Sequence, residues 1–220
     1  MSGRSALEQS GALAHALRLY VVAGGEPFED RQAEDLVDVV VCAGATAVGL
    51  RLEAAATHER IDRATPLMEE ARARRVLFIV HDDPEAAAAS GADGVYLEGD
   101  DASPNRVRRL VGMRSTIGVE VTTPAEAVRA AADGADFLGV SLEACGLHGV
   151  TAICQSVDVP VVAFVPDASP QGVGDVIATG VVGIGVSRGI LVAEDMESAC
   201  LYLRAAIDSA LARRDGTEVE

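Results

Sequence analysis

The sequence predicts a single (β/α)8 barrel, and three observations support that fold. Eight short hydrophobic runs alternate with helical segments, mostly without polar alternation, as parallel strands buried on both faces do. A chain of 220 residues is long enough for one such barrel. An open doubly wound sheet is the alternative. It fits less well because such a sheet needs a switch point at which the strand order reverses, and nothing in the sequence breaks the repeat. Four runs follow a glycine that can end the preceding helix, and these glycines recur about 45 residues apart, at Gly44, Gly91, Gly134 and Gly180.

The eight runs define the predicted strands, in which Val, Ile and Leu dominate. The barrel spans residues 18–212, after an N-terminal extension at residues 1–17 and before a polar tail at residues 213–220. No second domain is predicted. In chain order, the predicted strands are Leu19–Ala23, Ala47–Leu52, Val76–His81, Gly94–Leu97, Thr116–Val121, Phe137–Ser141, Val159–Phe164 and Val182–Val186.

Several predicted helices begin with a polar capping residue followed by proline. The capping side chain accepts a hydrogen bond from a backbone amide of the first turn, and proline has a backbone angle that suits the first helical position. At Thr123, a glutamate three residues later completes a capping box. The pairs are Asp83-Pro84, Ser103-Pro104, Thr123-Pro124 and Ser169-Pro170.

The composition excludes several classes of function. A net charge of −16 argues against binding to nucleic acid or to an anionic membrane surface, because both depend on basic side chains. All 18 basic residues are arginine, so a Schiff-base lysine and a lysine general base are ruled out. The four cysteines form no C-x-x-C pair, and no stretch approaches the roughly 18 apolar residues of a membrane span. A reduced cytoplasm is the predicted location.

Active sites of (β/α)8 barrels form at the carboxyl ends of the strands, so the residues that follow each strand are the candidates for chemistry. Asp82 and Asp101 follow adjacent strands, where their carboxylates can converge on one Mg²⁺, which favours hard oxygen ligands and phosphate co-ligands. The alternative to a metal site is that these aspartates are solvent-exposed loop residues. Asp83 is assigned mainly to capping the helix that follows it. The full set is Arg51, Glu53, His81, Asp82, Asp83, Glu98, Asp100, Asp101, Glu120, Thr122, Thr123, Ser141, Glu143, Cys145, His148, Pro166, Asp167, Ser187 and Arg188.

Two arginines among these candidates suit phosphate. Arg51 can bind phosphate with two parallel hydrogen bonds, and it equally suits the neutralising of neighbouring acids. Arg188 lies with Ser187 and Gly189 at a predicted helix start after the eighth strand, where barrels commonly bind phosphate. His81 is a candidate acid or base by its position at a strand end, with a hydrogen-bonded rim residue as the alternative.

Short motifs in a specific order run through most of the chain: Arg18–Val22, Gly44–Arg51, Gly91–Leu97, Gly134–Val140, and Gly146–Cys154 running into Val159–Ala163. In these motifs the chain resembles the thiamine phosphate synthase family and its thiazole tautomerase relatives, over roughly residues 19–204. The resemblance implies a Mg²⁺-assisted reaction that joins hydroxymethylpyrimidine diphosphate to a thiazole phosphate and releases diphosphate. It also implies that Arg51 matches the arginine of the family's Gln-Leu-Arg-Glu-Lys motif, Asp82 the aspartate of its Asn-Asp-Arg motif, and Asp101 its second metal-binding aspartate.

The chain departs from the family pattern at many substrate-binding positions. Gly49 and Glu53 stand at the glutamine and lysine positions of the first motif, and His81 and Asp83 at the asparagine and arginine positions of the second. The other departures are Glu120 for a serine after strand five, Thr122 for the tautomerase histidine, a strand-six loop shortened to Leu142–Gly146, Val165-Pro166 for paired glycines, and Arg188 for a serine after strand eight.

Three hypotheses about function follow. The first is an enzyme of the thiamine phosphate synthase type that keeps Mg²⁺ on Asp82 and Asp101 and acts on a phosphorylated small molecule. The second is a non-catalytic relative that binds a ligand or a partner. The third is a phosphosugar isomerase or epimerase with His81 and Glu120 as its acid/base pair. Self-association into a homo-oligomer is left open.

Overall fold

The computed structural model describes residues 6–24, 33–52, 55–99, 103–166 and 169–217. Within these residues, eight parallel strands close into a barrel, and helices separate them along the chain. Each strand pairs with the next one in the chain, and the last pairs with the first. The predicted single-domain (β/α)8 fold is confirmed. Within the described ranges, no helix is long and apolar enough to cross a membrane.

Strands and helices alternate in the predicted order, with a helix before the first strand. The strands are β1 Leu19–Gly24, β2 Ala47–Arg51, β3 Leu77–His81, β4 Gly94–Leu97, β5 Thr116–Glu120, β6 Phe137–Ser141, β7 Val161–Val165 and β8 Gly183–Val186. The helices are α1 Ala6–Ala16, α2 Ala33–Cys42, α3 Thr57–Ala73, α4 Pro84–Ser90, α5 Pro104–Val111, α6 Pro124–Ala132, α7 Leu142–Cys154, α8 Val173–Ala178, α9 Arg188–Leu191 and α10 Met196–Asp215, with a 3-10 turn at Pro170–Gly172.

The strand bounds match the predictions within two residues, and the largest shift is at β7. This strand begins at Val161, two residues after the predicted start at Val159. Pro160 between them has no backbone N–H to give to the ladder, although its carbonyl accepts a hydrogen bond from Leu138 at 2.9 Å. The hydrophobic run therefore continues outside the strand on its amino side.

Three of the four predicted helix caps form as expected. The side chains of Asp83, Ser103 and Thr123 each accept a hydrogen bond from the backbone amide three residues later, and Thr123 has the full capping box. The prediction is wrong at Ser169, whose side chain makes no capping hydrogen bond and which precedes only the short 3-10 turn.

The barrel has two cores, one on each face of its sheet. Alternate residues of a strand point to opposite faces, and in β1 Leu19 and Val21 belong to the core under the helices, whereas Tyr20 and Val22 belong to the second. The second set is called the interior cluster. Its buried members are Leu17, Tyr20, Val22, Ala47, Ile79, Tyr96, Phe137 and Val162, with Phe164 packed against them.

Strand glycines make room for the large rings of the interior cluster. A Cβ atom added at Gly49 would lie 2.8 Å from both His81 Nε2 and Tyr20 Oη. A Cβ at Gly139 would overlap the Tyr96 hydroxyl, and one at Gly118 would overlap Phe137. The aromatic and imidazole rings therefore fit inside the barrel because the neighbouring strands carry glycine, with no side chain, at these positions.

Candidate functional site

A cavity of about 390 Å³ opens at the carboxyl ends of the strands, where the fold class places its active sites. Side chains of the interior cluster form its apolar part, and polar groups from strand ends surround them. All eight strands contribute at least one lining residue. The lining residues are Val22, Gly24, Arg51, His81, Tyr96, Glu98, Glu120, Ser141, Phe164, Val165, Val186, Ser187 and Arg188.

Four side chains form a continuous polar chain from the barrel interior to its mouth. The buried Tyr20 hydroxyl lies 2.7 Å from His81 Nε2, and His81 Nδ1 lies 3.1 Å from a carboxylate oxygen of Glu98. The other oxygen of Glu98 lies 3.0 Å from a guanidinium nitrogen of Arg51. Glu98 thus joins a buried imidazole to a cation that is half exposed at the cavity mouth.

The pKa shifts fix the direction of these hydrogen bonds. Burial raises the pKa of Tyr20 well above its usual range, so its hydroxyl keeps its proton and donates to His81 Nε2. Burial also lowers the pKa of His81, and the neutral ring then carries its proton on Nδ1 and donates it to Glu98. At Glu98, burial raises the pKa, but the hydrogen bond from His81 and the nearby charge of Arg51 act in the opposite direction, and the net shift is downward. Both nitrogens of His81 are therefore occupied in the described structure, which disfavours His81 as a free general base.

Unlike the four residues of the polar chain, Glu120 and Tyr96 have polar groups without a hydrogen-bond partner among the described residues. Among the described residues the Glu120 carboxylate makes no hydrogen bond or ion pair, and its pKa is raised by partial burial and by the Glu98 charge, with Arg51 acting in the opposite direction. The Tyr96 hydroxyl is buried and has no hydrogen-bond partner in the described structure. Leaving such a buried group unpaired costs roughly 1–3 kcal/mol, so Tyr96 marks an unsatisfied point on the cavity wall.

The predicted phosphate contacts after β8 also line the cavity. Ser187 and Arg188 are on its wall, and Gly189 follows within α9. In the part of the chain that the structure describes, neither the Ser187 hydroxyl nor the Arg188 guanidinium enters a side-chain hydrogen bond or ion pair. Arg51 approaches the same cavity from β2. The structure thus brings together seven residues of the predicted set: Arg51, His81, Glu98, Glu120, Ser141, Ser187 and Arg188.

Of the two predicted metal residues, Asp82 does not line this cavity. Asp82 follows β3 with an exposed side chain and lines a separate groove beside Arg60 and Asp83. Its backbone has φ 54°, an uncommon conformation for a residue with a side chain, and its amide donates to the Tyr96 carbonyl at 2.7 Å. Asp101 lies outside the described residues. No group of three or more His, Cys, Asp or Glu side chains suited to a metal ion occurs in the described ranges.

Asp83 has the capping role that its position predicts. Its side chain accepts from the Ala86 amide at 2.8 Å and lies 3.5 Å from an Arg60 guanidinium nitrogen. Glu53, Asp100 and Asp167 lie outside the described residues.

The chain after β6 differs from a long substrate loop. Helix α7 begins directly at Leu142, capped by Ser141, and is interrupted only at Gly146, whose φ is 60°. Cys145 donates to the Thr122 carbonyl, and partial burial raises the pKa of its thiol, so it is a poor nucleophile.

The hydroxyls of Tyr20 and Tyr96 are not among the predicted site groups, because both residues lie inside strands. Tyr20 and Tyr96 read as core residues of β1 and β4, yet their hydroxyls reach the polar chain and the cavity wall. The sequence signal for them is alternation, which puts each tyrosine on the opposite strand face from its neighbours, and the closed sheet shows that this face is the interior. Glu98 was among the candidates after β4, but only the structure shows that it joins His81 to Arg51.

The sequence matches a family model described as "Thiamine monophosphate synthase" over residues 19–190. A thiamine-phosphate synthase of Chloroflexus aurantiacus is 33% identical over 209 residues, covering 89% of this chain and 96% of the relative. One of Methanoculleus marisnigri is 33% identical over 205 residues, covering 88% of this chain and 97% of the relative.

A solved structure supports the same relation. The thiamine phosphate pyrophosphorylase of Pyrococcus furiosus superposes with a TM-score of 0.81 at 31% sequence identity, covering 90% of this chain and 99% of that one. The similarity thus extends over the whole barrel.

Proposed function

Because the chain belongs to the thiamine monophosphate synthase family, we propose that it catalyses a thiamine phosphate synthase-like reaction on a phosphorylated small molecule in the barrel-mouth cavity. The best-defined version couples hydroxymethylpyrimidine diphosphate with a thiazole phosphate. The observation that carries the proposal is that Arg51, Ser187 and Arg188 converge on one cavity at the carboxyl ends of the strands.

The cationic side of the cavity suits a phosphate. Arg51 and Arg188 supply planar guanidinium groups, which match phosphate oxygens bidentately, and Ser187 adds a hydroxyl donor. The pairing of Glu98 with Arg51 holds that guanidinium at the mouth, because the carboxylate is itself fixed by His81. In this proposal Arg51 and Arg188 bind the phosphorylated end of the substrate and stabilise negative charge that develops on a leaving phosphate.

A site with one or two carboxylates is compatible with Mg²⁺, although no group of three or more metal-binding side chains is present among the described residues. Mg²⁺ is usually held by one or two carboxylates together with waters and substrate phosphates. We propose Asp82 and Asp101 as those carboxylates. Asp82 presents an exposed side chain at a strand end, and its charge acts on His81, a residue of the cavity wall. When bound, the ion would neutralise charge on the phosphate groups.

The proposal is tested by turnover. Product is measured with pyrimidine diphosphate, thiazole phosphate and Mg²⁺ for the wild type, Asp82→Asn, Asp101→Asn and the control Asp62→Asn, whose side chain is exposed on α3. The proposal predicts turnover in the wild type and the control, and at least about a tenfold loss in each of the other two variants. Absence of wild-type turnover with both substrates saturating would contradict the synthase version.

A non-catalytic relative is the second candidate, and one observation favours it. Glu120 places an unpaired carboxylate on the cavity wall at the family's serine position, where it repels a diphosphate. This candidate predicts ligand binding without turnover, and the same assay combined with a thermal-shift measurement separates the two. A cytoplasmic location and self-association stay predictions from the sequence.

A further inference from the structure

The polar chain beside the cavity has a buried end and an exposed end. The exposed fraction of the side chain rises from 3% at His81 to 22% at Glu98 and 47% at Arg51, while Tyr20 is fully buried. Tyr20 and Arg51 belong to β1 and β2, His81 ends β3, and Glu98 follows β4. The packed interior of the barrel can therefore fix the position of a cation at its mouth.

The hydrogen bond between Tyr20 and His81 has one favourable direction. In the described residues, His81 Nε2 is the only hydrogen-bond partner of the Tyr20 hydroxyl, at 2.7 Å. If Nε2 carried the ring proton, the hydroxyl would have to accept it, and its own buried O–H would be left without an acceptor. The hydroxyl therefore donates to Nε2, and the ring proton lies on Nδ1, which is 3.1 Å from Glu98. Tyr20 thus selects the tautomer of His81 that can hold a carboxylate.

Arg51 gains more from this support than the buried residues do. A half-exposed arginine side chain has many rotamers, and an ion pair at a surface contributes little by itself. Glu98 differs from a mobile surface acid, because one of its oxygens accepts from the buried imidazole while the other lies 3.0 Å from Arg51. A guanidinium held in this way loses less conformational freedom when it binds an anion.

We propose that His81 is a positioning residue for anion binding: its Nδ1–H holds Glu98, and Glu98 holds Arg51 in the orientation that an anion needs. Tyr20 supports this role by fixing the imidazole, although it is not among the residues that line the cavity. His81 transfers no proton in this role. The inference rests on the proposed function only in taking Arg51 as an anion-binding group, and it assigns a role to the residues behind that group.

Calorimetric titration of inorganic diphosphate into the folded protein tests this role. His81→Leu removes both hydrogen bonds of the ring. His81→Asn keeps one of them, because its amide nitrogen takes the place of Nδ1 and can donate to Glu98. His81→Leu is measured alone and in an Arg51→Gln background, which lacks the guanidinium. Ile153→Ala is the control for a general loss of stability, because Ile153 is fully buried in α7 and outside the cavity lining.

The proposal predicts an affinity for diphosphate about three- to tenfold weaker in His81→Leu, the range expected when a long side chain must be immobilised on binding. His81→Asn and Ile153→Ala keep the wild-type affinity within about twofold. In the Arg51→Gln background, which itself binds diphosphate more weakly, His81→Leu causes no further loss because the group that it positions is absent.

An equal loss from His81→Leu in both backgrounds would overturn the proposal, because His81 would then act on the anion without Arg51. A wild-type affinity in His81→Leu or in Arg51→Gln, or a His81→Asn protein as weak as His81→Leu, would also overturn it. So would a wild type that binds no diphosphate, although turnover would still decide the proposed activity. Coupling of His81 to Arg51 without turnover contradicts the proposed activity alone, and turnover without coupling contradicts this inference alone.

Discussion

The Tyr20 hydroxyl donates to Nε2 of His81 across 2.7 Å inside the barrel, and this contact fixes the orientation of the whole polar chain at the cavity. With Nε2 accepting, Nδ1 carries the proton and donates to Glu98, which in turn holds Arg51. A residue of the interior core thereby orients a cation at the mouth.

Replacing Tyr20 by phenylalanine removes the donor and leaves a buried imidazole nitrogen unpaired. We expect Tyr20→Phe to lower the free energy of unfolding by about 1–3 kcal/mol, measured by urea denaturation. The control is Tyr202→Phe, because Tyr202 is 68% exposed and its loss should change stability by less than about 0.5 kcal/mol. Equal stability of the two variants would show that the buried contact contributes nothing.

Gly49 makes the Tyr20–His81 contact possible. Gly49→Ala puts a methyl group 2.8 Å from both partners, so we expect a loss of about 1–3 kcal/mol from overpacking, again by denaturation. Gly174→Ala serves as the control, because Gly174 is exposed in α8 with no atom near its added Cβ. That control should be neutral or gain up to about 1 kcal/mol from helix propensity. A Gly49→Ala protein as stable as the wild type would contradict the packing account.

The fold was predictable from the sequence because buried parallel strands appear as Val- and Ile-rich runs. Glycines that can end a helix and polar residues that can cap one also recur between these runs. The cavity was only partly predictable. Residues after strands, such as Arg51 and Arg188, follow from the rule that barrel sites lie at strand ends. Tyr20 and Tyr96 did not, because which strand residue faces the interior depends on the closure of the sheet. The pairing of Gly49 with His81 links two departures from the family pattern, and only the spatial contact reveals that link.

Asp82 and Asp83 are adjacent in sequence and differ in role. Asp83→Ala removes the cap on the Ala86 amide and the ion pair with Arg60, so we expect a loss of about 1–2 kcal/mol in unfolding free energy. Asp82→Asn should change stability by less than about 0.5 kcal/mol, because the side chain is exposed and asparagine tolerates a positive φ. Thermal unfolding of both variants checks which substitution costs more stability. A larger loss in Asp82→Asn than in Asp83→Ala would contradict the assignment of Asp83 as the capping residue.

Glu120 should make the protein less stable as pH rises. Its pKa is raised in the folded state, by partial burial and by Glu98, above the ordinary value of 4.5, so the folded protein binds this proton more tightly than the unfolded chain. Stability from this group is complete below pH 4.5 and is lost as pH rises through the folded pKa.

The comparison of Glu120→Gln with the wild type measures this effect. We expect the variant to have the higher melting temperature near neutral pH, with the advantage shrinking as the pH falls through the raised folded pKa toward 4.5. Glu143→Gln, altered at an exposed position, should show no such pH-dependent difference. An advantage of Glu120→Gln that is constant with pH would contradict the linkage.

The claim on which the account depends is that the cavity at the barrel mouth binds phosphate through Arg188. Calorimetric titration of a thiazole phosphate into the wild type, Arg188→Gln and Arg109→Gln tests it most directly, since Arg109 is exposed on α5 away from the cavity lining. A charge-assisted contact is worth about 1.5–3 kcal/mol, so we predict at least about a tenfold weaker affinity for Arg188→Gln and an unchanged one for Arg109→Gln. Equal affinities in all three proteins, or no binding by the wild type, would contradict the account.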